Sequence, residues 1–320
     1  MKNKYTKHDF EAIKILDDFL PDKIFDGHMH ISPYPFCKME KFGIEDYKRD
    51  MAPVFGNRYI RGMALATPTK ELKNYDGYLK HLNFFSDELD MHMDFVGSIL
   101  VKPGQSYDEI TSCIQHECIK GLKCYHIYAA REDTQNADIH EYLPEEALEV
   151  ANKLSMTLTL HLVKSRALAD PVNLQEIKYI AKKYPNIKLI LAHCARSYAT
   201  WTVIETVSEL VPYENIFFDF AAICESPSII GILNQIGTSR CIWGSDYNVS
   251  MDLGKAIALG DSFYWINERN LLEFNKSADI HPRHIITENL MAVREAAIIS
   301  SISKKDVEDM FYNNACQIFA

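Results

Sequence analysis

The feature that most constrains the fold is a short apolar run, rich in β-branched and aromatic residues, that recurs eight times along the chain. Runs that are apolar at nearly every position are typical of strands in a parallel sheet whose outer face is covered. The predicted strands are residues 24–30, 59–67, 94–101, 119–127, 155–163, 187–195, 215–223 and 241–248.

Amphipathic stretches with helical spacing separate these strands, among them residues 76–89, 107–117, 143–154 and 171–184. Eight strand–helix repeats are the number that closes a (β/α)8 barrel, so the predicted fold class is α/β and the architecture a TIM barrel. Because no Pro-, Gly- or Ser-rich linker divides the chain, residues 1–320 are expected to form a single domain. Its predicted additions are an N-terminal helix over 1–20, a lid or interface insertion over 249–285, and a C-terminal helical extension over 287–301 and 304–319.

The chain is acidic, with 34 Lys and Arg against 44 Asp and Glu and a formal charge of −10. Nucleic-acid-binding surfaces usually carry clustered basic residues, so we expect no nucleic-acid partner. No segment approaches the roughly 20 apolar residues that span a membrane, and the first residues lack a signal-peptide pattern. The eight cysteines form no CxxC pair, in keeping with a reducing compartment. We therefore predict a cytoplasmic protein with a small-molecule substrate and no membrane partner.

Polar side chains stand at the carboxyl-terminal ends of the predicted strands, where TIM barrels place their chemistry. His28 and His30 end the first strand, and their spacing of two residues puts both rings on the same side of it. His161 ends the fifth strand and Asp246 the eighth. These three imidazoles and one carboxylate suit one divalent metal ion. Zn²⁺ is the predicted ion, and Mn²⁺, Fe²⁺ and Co²⁺ fit the same donors.

The predicted metal ligands could also have purely structural roles. A single HxH pair, or a lone strand-end histidine such as His161, is a weak indication of a metal. Asp246 could simply cap the turn that follows it. What favours the metal site is the whole set, because each residue falls at a strand end in the order that a barrel requires.

Five other polar residues are candidates for catalysis or substrate binding. His193 ends the sixth strand, Lys123 lies late in the fourth, and Tyr125 follows it. Arg196 and Arg131 can each offer the bidentate donor fork that binds a substrate carboxylate. Structural roles are the alternatives: the histidine could be a satisfied core residue, the lysine could pair with a carboxylate, and either arginine could form a surface salt bridge.

These residues lie in segments that resemble a known family. FDGHMH, GLKCY, LTLHL, LAHCAR, FFDFAA and IWGSDYN look like successive motifs of the amidohydrolase superfamily. DMFYNNACQIF is similar to the closing helix of its amidohydrolase-related branch, which includes aminocarboxymuconate semialdehyde decarboxylase. The resemblance covers about 25–320. It implies a barrel enzyme in which His28, His30 and His161 bind the metal and Asp246 is the last ligand or the general base.

The resemblance also bears on the remaining candidates. It implies that His193 is a ligand of a second metal or a polarising residue beside the substrate. Lys123 stands where binuclear members carry a carboxylated lysine, although one metal is expected in this branch. Arg196 and Ser197 replace the glycine-rich stretch of the branch's decarboxylases, and no HAGE-like segment occurs. Because branch members are often homodimers, the segment 249–285 is also a candidate dimer interface.

The predicted activity is hydrolysis of a C–N or C–O bond in a small, carboxylate-bearing amide, lactone or ester. In this mechanism a metal-activated water attacks, Asp246 takes its proton, and His193 stabilises the developing oxyanion. The first alternative is a non-oxidative decarboxylase with the same metal ligands. The second is a barrel that has lost catalysis and only binds a ligand. No nucleotide-binding motif of the GxxxxGK kind is present.

Overall fold

The computed structural model describes residues 5–268, 270–271 and 280–320. Its centre is an eight-stranded parallel sheet in which the strands follow one another in chain order. The strands are β1 (Lys23–Ile31), β2 (Tyr59–Ala66), β3 (Phe95–Leu100), β4 (Ile119–Cys124), β5 (Thr157–Leu160), β6 (Lys188–Leu191), β7 (Ile216–Asp219) and β8 (Cys241–Ile242). Each strand coincides with a predicted apolar run, so the predicted strand count is confirmed.

Individual hydrogen bonds join the last strand to the first. The amide of Gly27 donates to the carbonyl of Trp243 at 2.9 Å, and the amide of His30 donates to the carbonyl of Tyr247 at 2.6 Å. Because β8 has only two residues, the extended segment after it completes the contact with β1. The sheet thereby closes, and the predicted (β/α)8 barrel is confirmed.

Helices cover the outside of the barrel. They are α1 (Lys7–Leu16), α2 (Ile44–Phe55), α3 (Tyr75–Met91), α4 (Tyr107–Cys113), α5 (Glu145–Lys153), α6 (Pro171–Lys183), α7 (Trp201–Ile204), α8 (Ser226–Ile236), α9 (Ile285–Ile299), α10 (Lys304–Glu308) and α11 (Asn314–Ile318). The four helices predicted between strands are present, although the one predicted over 107–117 ends at Cys113. Within the described ranges, no helix has both the length and the apolar character needed to cross a membrane.

Within the stretch 1–20, where the sequence predicts one helix, α1 covers Lys7–Leu16. The side chain of Thr6 caps its first turn, and the carboxylate of Asp9 accepts from the amide of Thr6 in return. Asp9 also accepts from the amide and from Nδ1 of His284, both at 2.8 Å. These bonds fasten α1 to the start of α9. Residues 1–4 of the predicted helix lie outside the described residues.

The C-terminal helices close the amino-terminal end of the barrel. The side chain of Ser303 caps α10 by accepting from the amide of Asp306, and a π-helical turn over Asp309–Asn313 joins α10 to α11. The ring of Phe319 stacks on that of Phe25, with centroids 5.4 Å apart. The apolar cluster around this pair includes Met63, Leu65, Val96, Ile190, Ile242 and Ile318. Because apolar side chains fill this end, the polar interior is left to the carboxyl-terminal end.

The insertion 249–285 contains a β-hairpin, where the sequence indicated only a long connection. Its antiparallel strands are β9 (Gly254–Leu259) and β10 (Ser262–Asn267). From β10, the rings of Phe263 and Trp265 contact the ring of Tyr198, with centroid distances of 4.4 Å and 5.4 Å. Positions 269 and 272–279 of the insertion lie outside the described residues, and its role as a lid or dimer interface stays a prediction.

Candidate metal centre

Three of the four predicted ligands meet at the carboxyl-terminal end of the barrel. Nε2 of His28 and Nε2 of His30 lie 3.6 Å and 3.5 Å from the same oxygen, Oδ1 of Asp246. All three residues are buried, and one potential ligand atom of each lies within 4.8 Å of those of the other two. Ligand atoms about 2.1 Å from a tetrahedral ion are about 3.4 Å apart, so this spacing suits a shared cation.

A second buried carboxylate, Asp219 at the end of β7, orients His28. Oδ2 of Asp219 lies 2.8 Å from Nδ1 of His28, so Nδ1 carries the proton and Nε2 keeps a lone pair. In the described part of the chain, this buried Nε2 has no hydrogen-bond partner. A buried polar atom without a partner is unfavourable, and a cation would satisfy it. The residues present therefore fit a divalent metal ion.

Backbone hydrogen bonds bring Asp246 to the histidines of β1. Oδ1 of Asp26 accepts from the amides of His28 at 3.0 Å and Ser245 at 2.9 Å. The amide of Asp246 donates to the carbonyl of His28 at 2.7 Å. Asp246 has a φ of +58°, which aspartate adopts more readily than most residues. These bonds hold the segment after β8 against β1.

A left-handed turn follows β6, so the strand predicted over 187–195 ends at Leu191. Within this turn, His193, Cys194, Ala195 and Arg196 have φ values of 53° to 58°, although none is glycine. This conformation costs roughly 1–2 kcal/mol per residue and must be held by its surroundings. One such restraint is the hydrogen bond that the amide of His193 donates to Oδ1 of Asp219 at 2.8 Å. The turn brings the side chains of both His193 and Arg196 to one pocket.

The ring of His193 is fixed in one tautomer. Its Nδ1 lies 2.9 Å from the carbonyl oxygen of Ala221, which can only accept, so Nδ1 carries the proton. Burial lowers the pKa of His193 to about 3, which leaves the ring neutral. Nε2 therefore accepts a hydrogen bond or binds a cation. The donor role that the sequence suggested, stabilising an oxyanion, does not suit this tautomer.

His161, the fourth predicted ligand, lies beside the group of three at the end of β5 without belonging to it. Its ring centroid is 5.1 Å from that of His193 and 4.5 Å from that of Tyr125. Burial and then the neighbouring His193 hold the pKa of His161 well below its usual range. A neutral imidazole is the form that binds metal ions. The structure thus brings His161 to the pocket as a neutral ring, the form that can bind a metal ion.

Lys123 lies in the barrel interior, fully buried on β4. Its Nζ has no hydrogen-bond partner among the residues that the structure describes. Burial lowers the pKa of this amine, while Asp219 and Asp246 act in the opposite direction. Lys123 does not line the pocket. Its side chain therefore lies beside the proposed metal ligands and not where a substrate would bind.

A pocket of about 340 Å³ opens over the three-ligand group. Its size is at the small end of the range for ligand pockets and suits a small molecule. Five aromatic side chains form much of its wall: Phe36, Tyr125, Tyr198, Phe263 and Trp265. Besides Asp246 and the histidines His30, His161 and His193, the polar lining comprises His126, Gln135 and Arg196.

The two predicted carboxylate-binding arginines have different surroundings. Arg196 donates through Nη1 to the carbonyl of Lys164 at 3.0 Å and through Nη2 to Oε1 of Gln135 at 3.4 Å. No carboxylate in the described part of the chain pairs with it. Arg131 is exposed, pairs with Glu141 at 2.8 Å and does not line the pocket. The structure therefore brings Arg196, but not Arg131, to the pocket.

Two carboxylates of the site were not singled out in the sequence. Asp219 is the one charged residue of the predicted run 215–223 and stands at its middle, whereas β7 in the structure ends at this residue. Asp26 precedes His28 by two residues and could have been recognised as its neighbour on one side of β1. Tyr198 gave no local indication, because its contact with the hairpin depends on the tertiary fold.

The fold and the site together define a class: a (β/α)8 barrel with histidines and a carboxylate gathered at the carboxyl-terminal ends of its strands. The amidohydrolase family model matches residues 26–320. The chain therefore belongs to the amidohydrolase family and is an enzyme of the amidohydrolase type, as the resemblance implied. No curated protein matches the sequence.

Several solved structures share the fold. An amidohydrolase from Burkholderia multivorans with bound zinc is 12% identical over 93% of this chain and 99% of that chain, with a TM-score of 0.59. A putative 2-pyrone-4,6-dicarboxylic acid hydrolase from Pseudomonas putida is 11% identical over 94% and 98%, with a TM-score of 0.57. A dihydroxybenzoic acid decarboxylase from Polaromonas, with bound manganese and 2-nitroresorcinol, is 14% identical over 93% and 96%, with a TM-score of 0.55. These identities show the fold alone.

Proposed function

We propose that this protein is a metal-dependent hydrolase that cleaves a C–N or C–O bond in a small, carboxylate-bearing amide, lactone or ester. One observation carries the proposal. A single pocket is lined by His30 and Asp246, which form a buried group with His28, and by Arg196, whose guanidinium pairs with no described carboxylate. The reacting end of the substrate would lie at the first group, and its carboxylate would bind the guanidinium.

The proposed metal ligands are His28, His30 and Asp246, with His161 as the fourth. When bound, a divalent ion lowers the pKa of a water molecule towards 7 and polarises the scissile carbonyl. Zn²⁺ is the proposed ion and is the ion of the Burkholderia structure. Mn²⁺, which the Polaromonas decarboxylase holds, suits the same nitrogen and oxygen donors.

Asp246 is the proposed general base. Its Oδ1 faces the two ligand imidazoles, and its side chain reaches the pocket. The other oxygen, Oδ2, makes no hydrogen bond within the described residues. It can accept the proton of the attacking water and return that proton to the leaving group. The Nε2 lone pair of His193 can accept the second hydrogen of the same water and so hold it in place.

Decarboxylation is the second candidate function, and the aromatic wall of the pocket favours it. Side chains such as Tyr125, Tyr198 and Phe263 suit a planar aromatic acid. In this reaction the leaving carboxylate would lie at the proposed metal ligands. The C–C bond would break with release of CO₂, and the carbon left behind would take a proton from the pocket, with Asp246 as the donor.

Isotope labelling distinguishes the two reactions. We would incubate metal-replete protein with a panel of lactones, amides and esters that carry a carboxylate, and with hydroxybenzoic acids. Hydrolysis in H₂¹⁸O puts one ¹⁸O into the acid product. Decarboxylation releases CO₂, and in D₂O it leaves one deuterium on carbon. His30→Ala is the control without the proposed centre. Turnover of neither class, or equal turnover by His30→Ala, would contradict the proposal.

A further inference from the structure

A second histidine of the pocket, His126, is also fixed in one tautomer. It follows β4 at the start of a short 3-10 turn and is buried. Its Nδ1 lies 3.1 Å from the carbonyl oxygen of Thr134 and 3.1 Å from the hydroxyl of the same residue. Because a carbonyl oxygen can only accept, Nδ1 carries the proton. The nitrogen left for a ligand, Nε2, then offers a lone pair.

The surroundings keep the ring of His126 neutral. Burial and, after it, the positive charge of Arg196 lower the pKa of His126 to about 4. No described carboxylate lies against the ring to favour a second proton, and Nε2 makes no hydrogen bond with any described residue. His126 therefore presents to the pocket a hydrogen-bond acceptor that the protein itself leaves unused.

One short turn holds this acceptor next to the guanidinium. Thr134 bonds the ring of His126, and the next residue, Gln135, accepts from Nη2 of Arg196. Because the amide oxygen of Gln135 is engaged in this way, its NH₂ group is the part available to a ligand. We call His126, Gln135 and Arg196 the polar corner. The polar corner combines two groups that donate hydrogen bonds, the guanidinium of Arg196 and the amide of Gln135, with one group that only accepts, Nε2 of His126.

We propose that the polar corner selects substrates in which a hydroxyl or amino group lies close to the substrate carboxylate, and that His126 is the residue that recognises this group. The inference rests on the proposed function, because it takes Arg196 as the carboxylate-binding residue. Arg196 and the Gln135 amide donate to the carboxylate, while Nε2 of His126 accepts from the O–H or N–H. A ligand that offers an ether oxygen at that place leaves Nε2 without a partner.

Matched aromatic acids test the selection, since aromatic side chains line the pocket. We would measure the affinity of the metal-replete protein for benzoate, the 2- and 3-hydroxybenzoates and their methyl ethers by titration calorimetry. At least one hydroxybenzoate should bind ten times or more as tightly as its methyl ether. His126→Phe should reduce that ratio to less than two while leaving benzoate affinity within about threefold. His116→Phe, at a histidine bonded to Asp90 outside the pocket, should preserve the ratio.

Further variants keep the result interpretable. The amide of His126→Gln can still donate to Thr134 and accept from a hydroxyl, so this variant should keep part of the preference. A His126→Gln protein as unselective as His126→Phe would show that a hydrogen-bond acceptor at this position does not restore the preference, and this result would overturn the proposal. So would a wild-type protein without the preference, or a preference that persists in His126→Phe, as expected if the hydroxyl contacts the metal instead.

Arg196→Met separates this inference from the proposed function. If Arg196 binds the carboxylate, every acid of the panel should lose at least tenfold in affinity in this variant. Unchanged affinity in Arg196→Met would contradict the carboxylate-binding role and, with it, the proposed function. A hydroxyl preference that is missing from the wild type or persists in His126→Phe, with the Arg196→Met effect intact, would contradict only the role of His126. Circular dichroism and metal content confirm that each variant is folded and loaded.

Discussion

Nδ1 of His28 and Oδ2 of Asp219 lie 2.8 Å apart in the barrel interior, and both side chains are fully buried. This contact fixes the proton of His28 on Nδ1 and leaves Nε2 as the atom that faces Asp246. The other carboxylate oxygen of Asp219 accepts from the amide of His193. One carboxylate therefore positions two of the histidines at the proposed metal centre.

Asp219→Asn should weaken metal binding by roughly 10- to 100-fold, which is typical when an outer partner of a ligand histidine is lost. An amide can present its NH₂ group to Nδ1 of His28, which favours the tautomer with the proton on Nε2. Competition with a chelator measures the Kd for Zn²⁺. Asp90→Asn is the control, because it removes a carboxylate bonded to a histidine, His116, at an exposed site. Equal affinities for Zn²⁺ in the wild type, Asp219→Asn and Asp90→Asn would contradict the orienting role of Asp219.

Arg196→Met should raise the KM for an anionic substrate by roughly tenfold or more, because it removes a charge-assisted hydrogen bond of about 1.5–3 kcal/mol. The substitution leaves the proposed metal ligands in place, so kcat should change less than KM. Arg131→Met is the matched control, since Arg131 is exposed and pairs with Glu141. Steady-state kinetics on the substrate found in the labelling panel give both constants. A KM that rises equally in both variants would argue against a specific role for Arg196.

The sequence predicted the barrel well because the strands are buried on both faces over most of their length. Nearly continuous apolar composition distinguishes such strands from their surroundings, and residues 24–30 and 59–67 match β1 and β2 within a residue at each end. Strand-end residues converge in any parallel barrel, so His28, His30 and Asp246 could be placed together once the fold was inferred.

Features that depend on tertiary contacts could not be predicted in this way. The hairpin β9–β10 is half exposed, so its composition resembles that of a loop. The left-handed turn at His193 contains no glycine, the residue that usually marks such a turn. The tautomer of His193 follows from its contact with Ala221, a residue 28 positions away in the chain. Sequence spacing therefore indicated which residues meet, but not which atoms donate or accept.

His81 should make the protein less stable in mild acid. It is buried in α3, neither ring nitrogen has a partner among the described residues, and burial lowers the pKa of His81 to about 3. The unfolded chain binds this proton near pH 6.5, so the free energy of unfolding falls as the pH drops from about 6.5 towards 3. At pH 5 the loss is about 2 kcal/mol, at roughly 1.36 kcal/mol per pH unit.

His81→Leu should remove this loss, and urea unfolding at pH 7 and pH 5 measures it. The wild-type protein should lose more stability between the two pH values than the variant does. His116→Leu, at a partly exposed histidine, is the control and should behave like the wild type. An identical pH dependence in wild type and His81→Leu would show that the ring of His81 does not carry the effect.

Ser301→Gly should stabilise the protein by about 1 kcal/mol. Ser301 follows the cap of α9 with a φ of 53°, and the next amide, that of Ile302, donates to the carbonyl of Ala297 at 2.8 Å. Glycine adopts this left-handed conformation without the penalty that a Cβ atom brings. Ser303→Ala, which removes the cap of α10, should lower stability by a similar amount. Urea unfolding at pH 7 compares the variants, and a destabilised Ser301→Gly would contradict this interpretation.

The metal content of the purified protein tests the proposed centre most directly. Elemental analysis should find about one transition-metal ion per chain in the wild type and in the control His116→Ala. His30→Ala should hold less than about one tenth of an ion while keeping the circular dichroism of a folded barrel, because the apolar cluster around Phe25 closes the other end. A wild-type protein that is fully active without stoichiometric metal, or a His30→Ala variant that keeps its ion, would contradict the centre formed by His28, His30 and Asp246.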